Sequence, residues 1–192
     1  MTNPRIVILA SGSGSIAQAI IDAQHSGELK AEIAGVISDQ AGAKVLDRAI
    51  SAGISTQVIP MTSNRTDWDR KIIGALTDLK PDLVASAGFM RILSADCVSQ
   101  FKIINSHPAL LPLFPGAHAV RDALAAGTRK TGTTIHWVDG GIDTGAIIAQ
   151  EEVEITSSDT EESLHERIKI VERRLYVATL QQLLNEFVSS HD

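Results

Sequence analysis

Residues 5–23 read RIVILASGSGSIAQAIIDA, and this stretch decides the fold class. RIVILA is an unbroken apolar run, which is typical of a strand that is buried on both faces of a sheet. The glycine-rich segment SGSGS follows at once, and Ile16, Ile20 and Ala23 then recur at helical spacing before a stop signal at Gly27. A buried strand, a glycine turn and a helix in this order predict the first βα unit of a parallel sheet.

The same alternation continues along the chain. Further apolar runs predict strands at 33–37, 56–59, 82–86 and 102–105. Segments of helical periodicity predict helices near 42–52, 65–79 and 94–99. Alternating strands and helices indicate an α/β fold with a mostly parallel twisted sheet flanked by helices, in which the N-terminal half is Rossmann-like.

The pattern changes after residue 131. Two strand-like runs, TTIHWV and AIIAQEEVEI, are joined by DGGIDTG, which reads as a loop rather than a crossover helix. Ser158 and Glu161 form a capping-box pattern that predicts the start of a long last helix, in which Leu164 and Ile168 keep helical spacing. Because no repeat or linker interrupts the chain, we expect one domain over residues 1–192.

Composition limits the classes of partner. The chain has 192 residues, a formal net charge of −6 and one cysteine, Cys97. The negative charge argues against a large non-specific contact with nucleic acid or an anionic membrane, so an anionic ligand would need local binding groups. With no internal disulfide to form and no leader-like or long apolar segment, the expected location is the cytoplasm.

The glycine-rich segment at 12–17, GSGSIA, allows three interpretations. It fits the permissive dinucleotide fingerprint, in which Asp39 at the end of the second predicted strand would hold a ribose hydroxyl. It also fits a simpler phosphate site, because glycines let the backbone approach and the amides at a helix start attract an anion. The third interpretation is a tight turn without a ligand, with Asp39 as an ordinary turn residue. The absence of G-K-[ST] excludes a P-loop.

Asn105 and His107 are the first candidates for chemistry. They stand at i and i+2 at the end of a predicted strand, so their side chains project to the same side, about 6 to 7 Å apart. Pro108 has no N–H to give to a sheet and helps to end the strand. In a parallel sheet this is the carboxyl edge, where open α/β folds bind their ligands.

Asp143 is the candidate partner of His107. It lies in the glycine-flanked loop, on chain that a neighbouring strand can bring alongside, and a carboxylate beside an imidazole favours the imidazolium form. The alternative is that Asp143 caps a turn. His136 can face the same cleft or be a satisfied core histidine. We assign no role to the remaining predicted helix or tail histidines, His25, His165 and His191.

Four segments, spread over nearly the whole chain, resemble the folate-dependent formyltransferase family. They are SGSGS (11–15), AGFMRIL (87–93), NSHPALLPLFPGAHA (105–119) and HWVDGGIDTGAII (136–148). The Asn-x-His-Pro and Gly-x-Asp patterns belong to the wider family. AGFMRIL and LLP-x-FPG are specific to the branch that formylates glycinamide ribonucleotide in purine biosynthesis.

The resemblance implies transfer of a formyl group from 10-formyltetrahydrofolate, as co-substrate, to the amine of glycinamide ribonucleotide, with no metal. Asn105 would donate a hydrogen bond to the oxyanion of the tetrahedral intermediate, a contact worth about 3 to 4 kcal/mol. His107, kept protonated by Asp143, would act as general acid. The implied partners are these two small molecules, with no nucleic acid and no membrane, and a homodimer is an option.

The resemblance also implies the binding residues. Those for glycinamide ribonucleotide are Gly14, Ser15, Ile16 and Glu172. Those for the folate are Arg65, Met90, Arg91, Ile92, Leu93, Asn105, Gly140, Gly141 and Asp143. Two positions depart from the family pattern: Ile16 stands where asparagine is common, and Leu113 stands where a polar or basic residue is common.

Three alternatives follow from the same residues. A formyltransferase acting on tRNA and a formyltetrahydrofolate hydrolase would both share Asn105, His107 and Asp143. We expect the first to carry a C-terminal domain and a basic surface, and the second to carry an N-terminal domain for which a first strand at Arg5 leaves no room. A dinucleotide-binding oxidoreductase or nucleotide sensor would use the glycine loop and Asp39, and would not need the other three residues.

Overall fold

The computed structural model describes residues 3–189, within which strands and helices alternate. The strands are β1 Arg5–Leu9, β2 Glu32–Ser38, β3 Thr56–Val58, β4 Leu83–Ser86, β5 Ile103–His107, β6 Lys130–Trp137 and β7 Ile147–Glu154. The helices are α1 Ser15–Ser26, α2 Lys44–Ser51, α3 Arg65–Leu79, α4 Ala95–Gln100, α5 Ala119–Ala125 and α6 Glu161–Ser189. His191 lies outside the described residues.

The strands form one sheet in the order β3-β2-β1-β4-β5-β6-β7. Neighbouring strands from β3 to β5 are parallel, whereas β6 runs antiparallel to β5 and β7 antiparallel to β6. The predicted mostly parallel sheet flanked by helices is therefore confirmed. Strand β5 lies at the junction of the parallel and antiparallel parts.

Both faces of the sheet are covered, which explains the unbroken apolar run of β1. Ile6 and Ile8 belong to the core shared with α1, α2 and α6. Val7 and Leu9 point to the other face, where they join the core formed with α3 and α4 around Trp68. Because side chains alternate along a strand, each strand in the centre of the sheet must be apolar at nearly every position.

Two predictions about the elements were incomplete. Helix α5 was not predicted, because seven residues between a proline-rich loop and Gly127 carry too few turns for a clear helical period. Strand β5 extends to His107 rather than ending at 105, because the antiparallel strand β6 pairs with it as far as Thr134. A pairing partner from a distant part of the chain is invisible to a local pattern.

The predicted capping box of the last helix was wrong. Helix α6 begins at Glu161, and it is Thr160 and Ser163 that exchange hydrogen bonds, Ser163 N donating to Thr160 Oγ1 at 3.1 Å and Thr160 N donating to Ser163 Oγ at 3.0 Å. The side chain of Asp159 accepts from Thr156 N, which forms a turn over the predicted cap. Within residues 3–189, no helix is both long and apolar enough to span a membrane.

Candidate active site

Strand β5 carries the centre of the site. Ile103 belongs to the core on the α3 side of the sheet, so Asn105 and His107, two and four residues later, point to that same side. Ser106 points to the opposite side, toward α6. In the sheet register, Asn105 lies between Ser86 of β4 and His136 of β6.

His107 is held at both ring nitrogens. Its Nδ1 lies 3.2 Å from Asp143 Oδ2, and its Nε2 lies 2.7 Å from the carbonyl oxygen of Phe114. Both neighbours are acceptors, so both ring nitrogens donate, which is the hydrogen-bond pattern of an imidazolium. The imidazole is buried, with 4% of the residue exposed. The structure thus brings Asp143 to His107 at the carboxyl end of β5, where Asn105 lies two residues before the imidazole.

Asp143 receives several donors that keep it ionised. Its pKa is lowered, first by the adjacent His136 side chain, then by the Gly116 N–H and by His107, against a burial that would raise it. The Gly116 amide donates to Oδ2 at 2.9 Å, and His136 Nε2 lies 3.6 Å from Oδ1. The carboxylate therefore links the loop after β6 to the loop after β5.

The Asn105 carboxamide is contacted at both ends. Ser86 Oγ donates to Asn105 Oδ1 at 2.9 Å, and Asn105 Nδ2 lies 3.5 Å from His136 Nε2. His136 Nδ1 lies 2.9 Å from the carbonyl oxygen of Trp137, so Nδ1 carries a proton. His136 is 3% exposed, so it is both a buried histidine and a neighbour of the site.

The N-terminus of α1 forms the second part of the site. Gly14 has a φ of 71°, and an added Cβ would lie 2.6 Å from Val45 Cβ, so only glycine fits this approach. Within the described residues, no side chain caps this helix start, which leaves its amides available to an anion. Ile16 is 6% exposed in the core, so it can offer only its N–H.

Basic residues lie close to this helix start. Arg48 Nε donates to the carbonyl oxygen of Ser13 at 2.8 Å, which brings a guanidinium onto the glycine loop. A groove of about 720 Å³ begins at Ser15 and runs between α1 and α6, and Arg48 and Arg173 line it. The groove joins the glycine loop to the helix that carries Glu172.

Glu172 approaches β5 from the other face of the sheet. It is 8% exposed, and burial raises its pKa, while a hydrogen bond with the Ser106 hydroxyl partly offsets that rise. Ser106 lies between Asn105 and His107 in sequence. A buried acid therefore contacts the back of the strand whose front carries the imidazole.

The Asp39 carboxylate forms an ion pair inside the protein. Its Oδ2 accepts from Arg91 Nε at 2.6 Å, and only 1% of its side chain is exposed. Burial would raise the pKa of this carboxyl, but hydrogen bonds from Ser11, Arg91 and Gln40 lower it below its ordinary value. Because this carboxylate is buried and its Oδ2 is paired with Arg91, it is poorly placed to hold a ribose hydroxyl as the dinucleotide interpretation requires.

The residues implied for the folate divide into two groups. Met90 and Ile92 are 75% and 55% exposed, and form an apolar rim after β4. Leu93 is only 6% exposed and packs in the core, and the Arg91 side chain turns to Asp39, so these two can meet a ligand mainly through their backbone. The Arg65 guanidinium donates to the Ile92 carbonyl oxygen.

The loop between β6 and β7 completes the rim. Gly140 and Gly141 are exposed beside Ile142, whose exposure is 57%, and Leu113 in the facing loop is 55% exposed. Asp139 Oδ1 accepts from Gly141 N at 2.9 Å and from Thr144 Oγ1 at 2.7 Å, which fixes the shape of the turn. Apolar side chains thus border the polar cluster.

Sequence reasoning missed three contacts in the site. The Phe114 carbonyl and the Gly116 amide are backbone groups, which no residue pattern reveals. Ser86 left a signal, because it is a hydroxyl at the end of the apolar strand LVAS. Among residues 3–189, no group of three or more His, Cys, Asp and Glu side chains is arranged to hold a metal ion.

Comparison with known proteins gives consistent results. The family model described as formyl transferase matches residues 4–180. The phosphoribosylglycinamide formyltransferase of Mycobacterium tuberculosis is 44% identical over 188 residues, which are 96% of this chain and 87% of that protein.

Two solved structures share the fold. The glycinamide ribonucleotide transformylase 1 of Symbiobacterium toebii superposes with a TM-score of 0.93 at 38% identity, covering 96% of this chain and 89% of the other. The phosphoribosylglycinamide formyltransferase of Bacillus halodurans gives 0.90 at 42% identity, covering 94% and 95%. Sequence, fold and site agree, and the chain belongs to the formyl transferase family.

Proposed function

We propose that this chain transfers the formyl group of 10-formyltetrahydrofolate to the amine of 5′-phosphoribosylglycinamide. The products are formylglycinamide ribonucleotide and tetrahydrofolate, a step of purine biosynthesis. The observation that carries the proposal is the cluster of Asn105, His107 and Asp143 at the carboxyl end of β5, in a chain of this family. The buried thiol of Cys97 fits the cytoplasm as the location.

The reaction needs a stabilised oxyanion. The substrate amine attacks the formyl carbon, the C–N bond forms, and the formyl oxygen takes the negative charge of a tetrahedral intermediate. The Asn105 NH₂ group is the neutral donor for that oxygen, and a donor of this kind lowers the barrier by about 3 to 4 kcal/mol. Its position beside a buried histidine and carboxylate supports this role.

His107 supplies the proton that the leaving group needs. The Nε2–H gives its proton to the folate nitrogen as the bond from that nitrogen to the formyl carbon breaks, and the imidazole regains a proton from the attacking amine. In the structure this N–H is donated to the Phe114 carbonyl, so the substrate must take the place of that acceptor. Asp143 holds the opposite nitrogen and stabilises the charged ring.

The phosphate of the nucleotide is proposed to bind at the start of α1. The amides of Ser15 and Ile16 and the nearby Arg48 offer donors and positive charge. Ile16 contributes no side-chain donor here, and Arg48, which contacts the Ser13 carbonyl oxygen, is proposed to supply the positive charge instead. Glu172, buried near the same groove, is proposed to bind the glycinamide portion.

The folate is proposed to bind at the apolar rim. Met90 and Ile92 on one side and Ile142 on the other offer exposed apolar surface to a flat ring. The backbone of 90–93, with that of Gly140 and Gly141, can meet the polar edge of the ring. Arg65 supports this segment through the Ile92 carbonyl oxygen.

A direct assay tests the proposal. Purified protein is mixed with 5′-phosphoribosylglycinamide and 10-formyltetrahydrofolate, with tRNA and water as competing acceptors, and each formylated or hydrolysed product is quantified. We expect formylglycinamide ribonucleotide as the main product and its loss in His107→Ala. Preferential formylation of tRNA, or release of formate at the same rate without the nucleotide, would contradict the proposal. A saturable response to nicotinamide dinucleotide would favour the oxidoreductase alternative.

A further inference from the structure

Ser86 is a polar residue at the end of an otherwise apolar buried strand. Strand β4 reads LVAS, and the serine is 6% exposed. A buried hydroxyl without a partner is costly, so such groups are almost always hydrogen-bonded. The partner here is Asn105 Oδ1, at 2.9 Å.

Two contacts together determine which way the Asn105 carboxamide points. The Ser86 hydroxyl can donate or accept, but His136 Nδ1 donates to the Trp137 carbonyl, which leaves His136 Nε2 as an acceptor. The NH₂ end therefore faces His136, and Oδ1 faces the Ser86 O–H, which donates to it. The NH₂ end then turns toward β6, where it lies 3.5 Å from His136 Nε2. That is also the side on which Asp143 contacts the two histidines.

The backbone of Ser86 is also held by a hydrogen bond. The buried Tyr176 hydroxyl contacts the carbonyl oxygens of Ser86 and Ile104 at 3.0 and 3.2 Å. Ser86 and Asn105 are also direct partners in the parallel register of β4 and β5. The donor and the carboxamide that accepts from it are therefore held on adjacent rigid strands.

We propose that Ser86 is a positioning residue that holds the Asn105 carboxamide with its NH₂ group toward the oxyanion. This inference rests on the proposed function. The last side-chain torsion of asparagine is broad, so without the serine hydroxyl the amide can turn over and present Oδ1 to the oxyanion. Two negative oxygens would then face each other.

Ser86→Ala is expected to lower kcat about 3- to 10-fold and to leave both KM values nearly unchanged, because the oxyanion exists only beyond the ground state. Asn105→Ala is expected to lower kcat by about 100-fold or more. In the Asn105→Ala background, Ser86→Ala should have no further effect, because nothing remains for it to orient.

The control is Thr131→Val. Thr131 is 1% exposed in the same sheet, and its hydroxyl has no hydrogen-bond partner within the described residues, so its removal should leave kcat unchanged. Single-turnover rates of the wild type, the two single variants and the double variant measure the coupling. Thermal unfolding of each variant separates lost stability from lost orientation.

A readout independent of turnover is the pair of Asn105 side-chain NH₂ signals in a ¹⁵N NMR spectrum, assigned by their loss in Asn105→Ala. We expect them to shift or broaden in Ser86→Ala and to stay in place in Thr131→Val. Equal fold-losses of kcat from Ser86→Ala in both backgrounds, or an unchanged kcat with unchanged NH₂ signals, would overturn the inference. If the wild type forms no formylglycinamide ribonucleotide, the proposed function fails, and the NH₂ signals alone decide whether Ser86 orients Asn105.

Discussion

Asp143 Oδ2 lies 3.2 Å from His107 Nδ1, although His107 ends strand β5 and Asp143 lies in the loop between β6 and β7. The contact requires the segment between β6 and β7 to fold back, and Asp143 adopts a left-handed φ of 55° to do so. The same oxygen accepts from the Gly116 amide. One carboxylate thus joins the imidazole to both loops that border the cleft.

Glu172→Ala is expected to weaken binding of glycinamide ribonucleotide about 10-fold or more, and to affect folate binding much less, because a hydrogen bond to a charged group is lost on the nucleotide side only. Separate calorimetric titrations with each ligand measure this. Glu166→Ala, on the exposed side of the same helix, is the control and should change neither. An equal loss of affinity for the two ligands would contradict the assignment of Glu172 to the glycinamide ribonucleotide site.

Glu172→Gln is expected to raise the Tm at pH 8. Burial raises the folded-state pKa of this carboxyl above its unfolded value, so its contribution to stability is present at low pH and is lost as the pH rises through the folded pKa. A neutral amide avoids the cost of a buried charge and can still accept from Ser106. The gain should shrink at pH 4, and a lower Tm for the variant at pH 8 would contradict this.

Arg91→Ala is expected to destabilise the fold by about 3 kcal/mol, because it leaves the buried Asp39 carboxylate without its charged partner. For a chain of this size, that corresponds to a Tm lower by about 6 to 12 °C. The pKa of Asp39 is lowered in the folded state, so the pair stabilises at neutral pH and is lost as the pH falls through that value.

The stability lost in Arg91→Ala should therefore be smaller at acidic pH. The double variant Arg91→Ala/Asp39→Asn should recover part of the Tm that Arg91→Ala loses. Differential scanning calorimetry at pH 7 and pH 3 measures both effects. A Tm equal to the wild type at pH 7 would show that Asp39 needs no partner.

Polar substitutions at Ile16 and Leu113, the two positions that depart from the family pattern, should have different effects on stability and nucleotide binding. Ile16→Asn places an amide in the core, so we expect a loss of about 2 to 4 kcal/mol and no tighter phosphate binding. Leu113→Lys adds a cation at an exposed position, so we expect unchanged stability and a KM for glycinamide ribonucleotide about 2- to 5-fold lower at low salt. Thermal unfolding of the two variants measures the change in stability, and steady-state kinetics measure the KM for glycinamide ribonucleotide.

Much of the fold could be predicted because buried parallel strands leave a strong local pattern. The run RIVILA and the helical spacing that follows are set by burial on both faces of β1, so the βα units could be predicted from sequence alone. The end of β5 and the start of α6 could not, since one depends on pairing with β6 and the other on a choice between neighbouring capping residues.

The site was predictable where chemistry resides in side chains. The spacing of Asn105 and His107 places them on one face, and the structure brings Asp143 to them as expected. The burial of Leu93 could not be predicted, because an apolar residue after a strand suits a core and a ligand equally well. The contacts of the Phe114 carbonyl depend on loop conformation, which residue identities do not reveal.

The most direct test of the account is the turnover of Asp143→Asn with both substrates at saturation. Asparagine tolerates the left-handed φ of this position and keeps an acceptor oxygen, so the fold should be intact. We expect kcat to fall about 100-fold or more, because an uncharged side chain no longer stabilises the His107 imidazolium. The control is Asp139→Asn, which removes a charge from the same loop and should reduce kcat far less. A kcat of Asp143→Asn close to that of the wild type would contradict the catalytic pairing of Asp143 and His107.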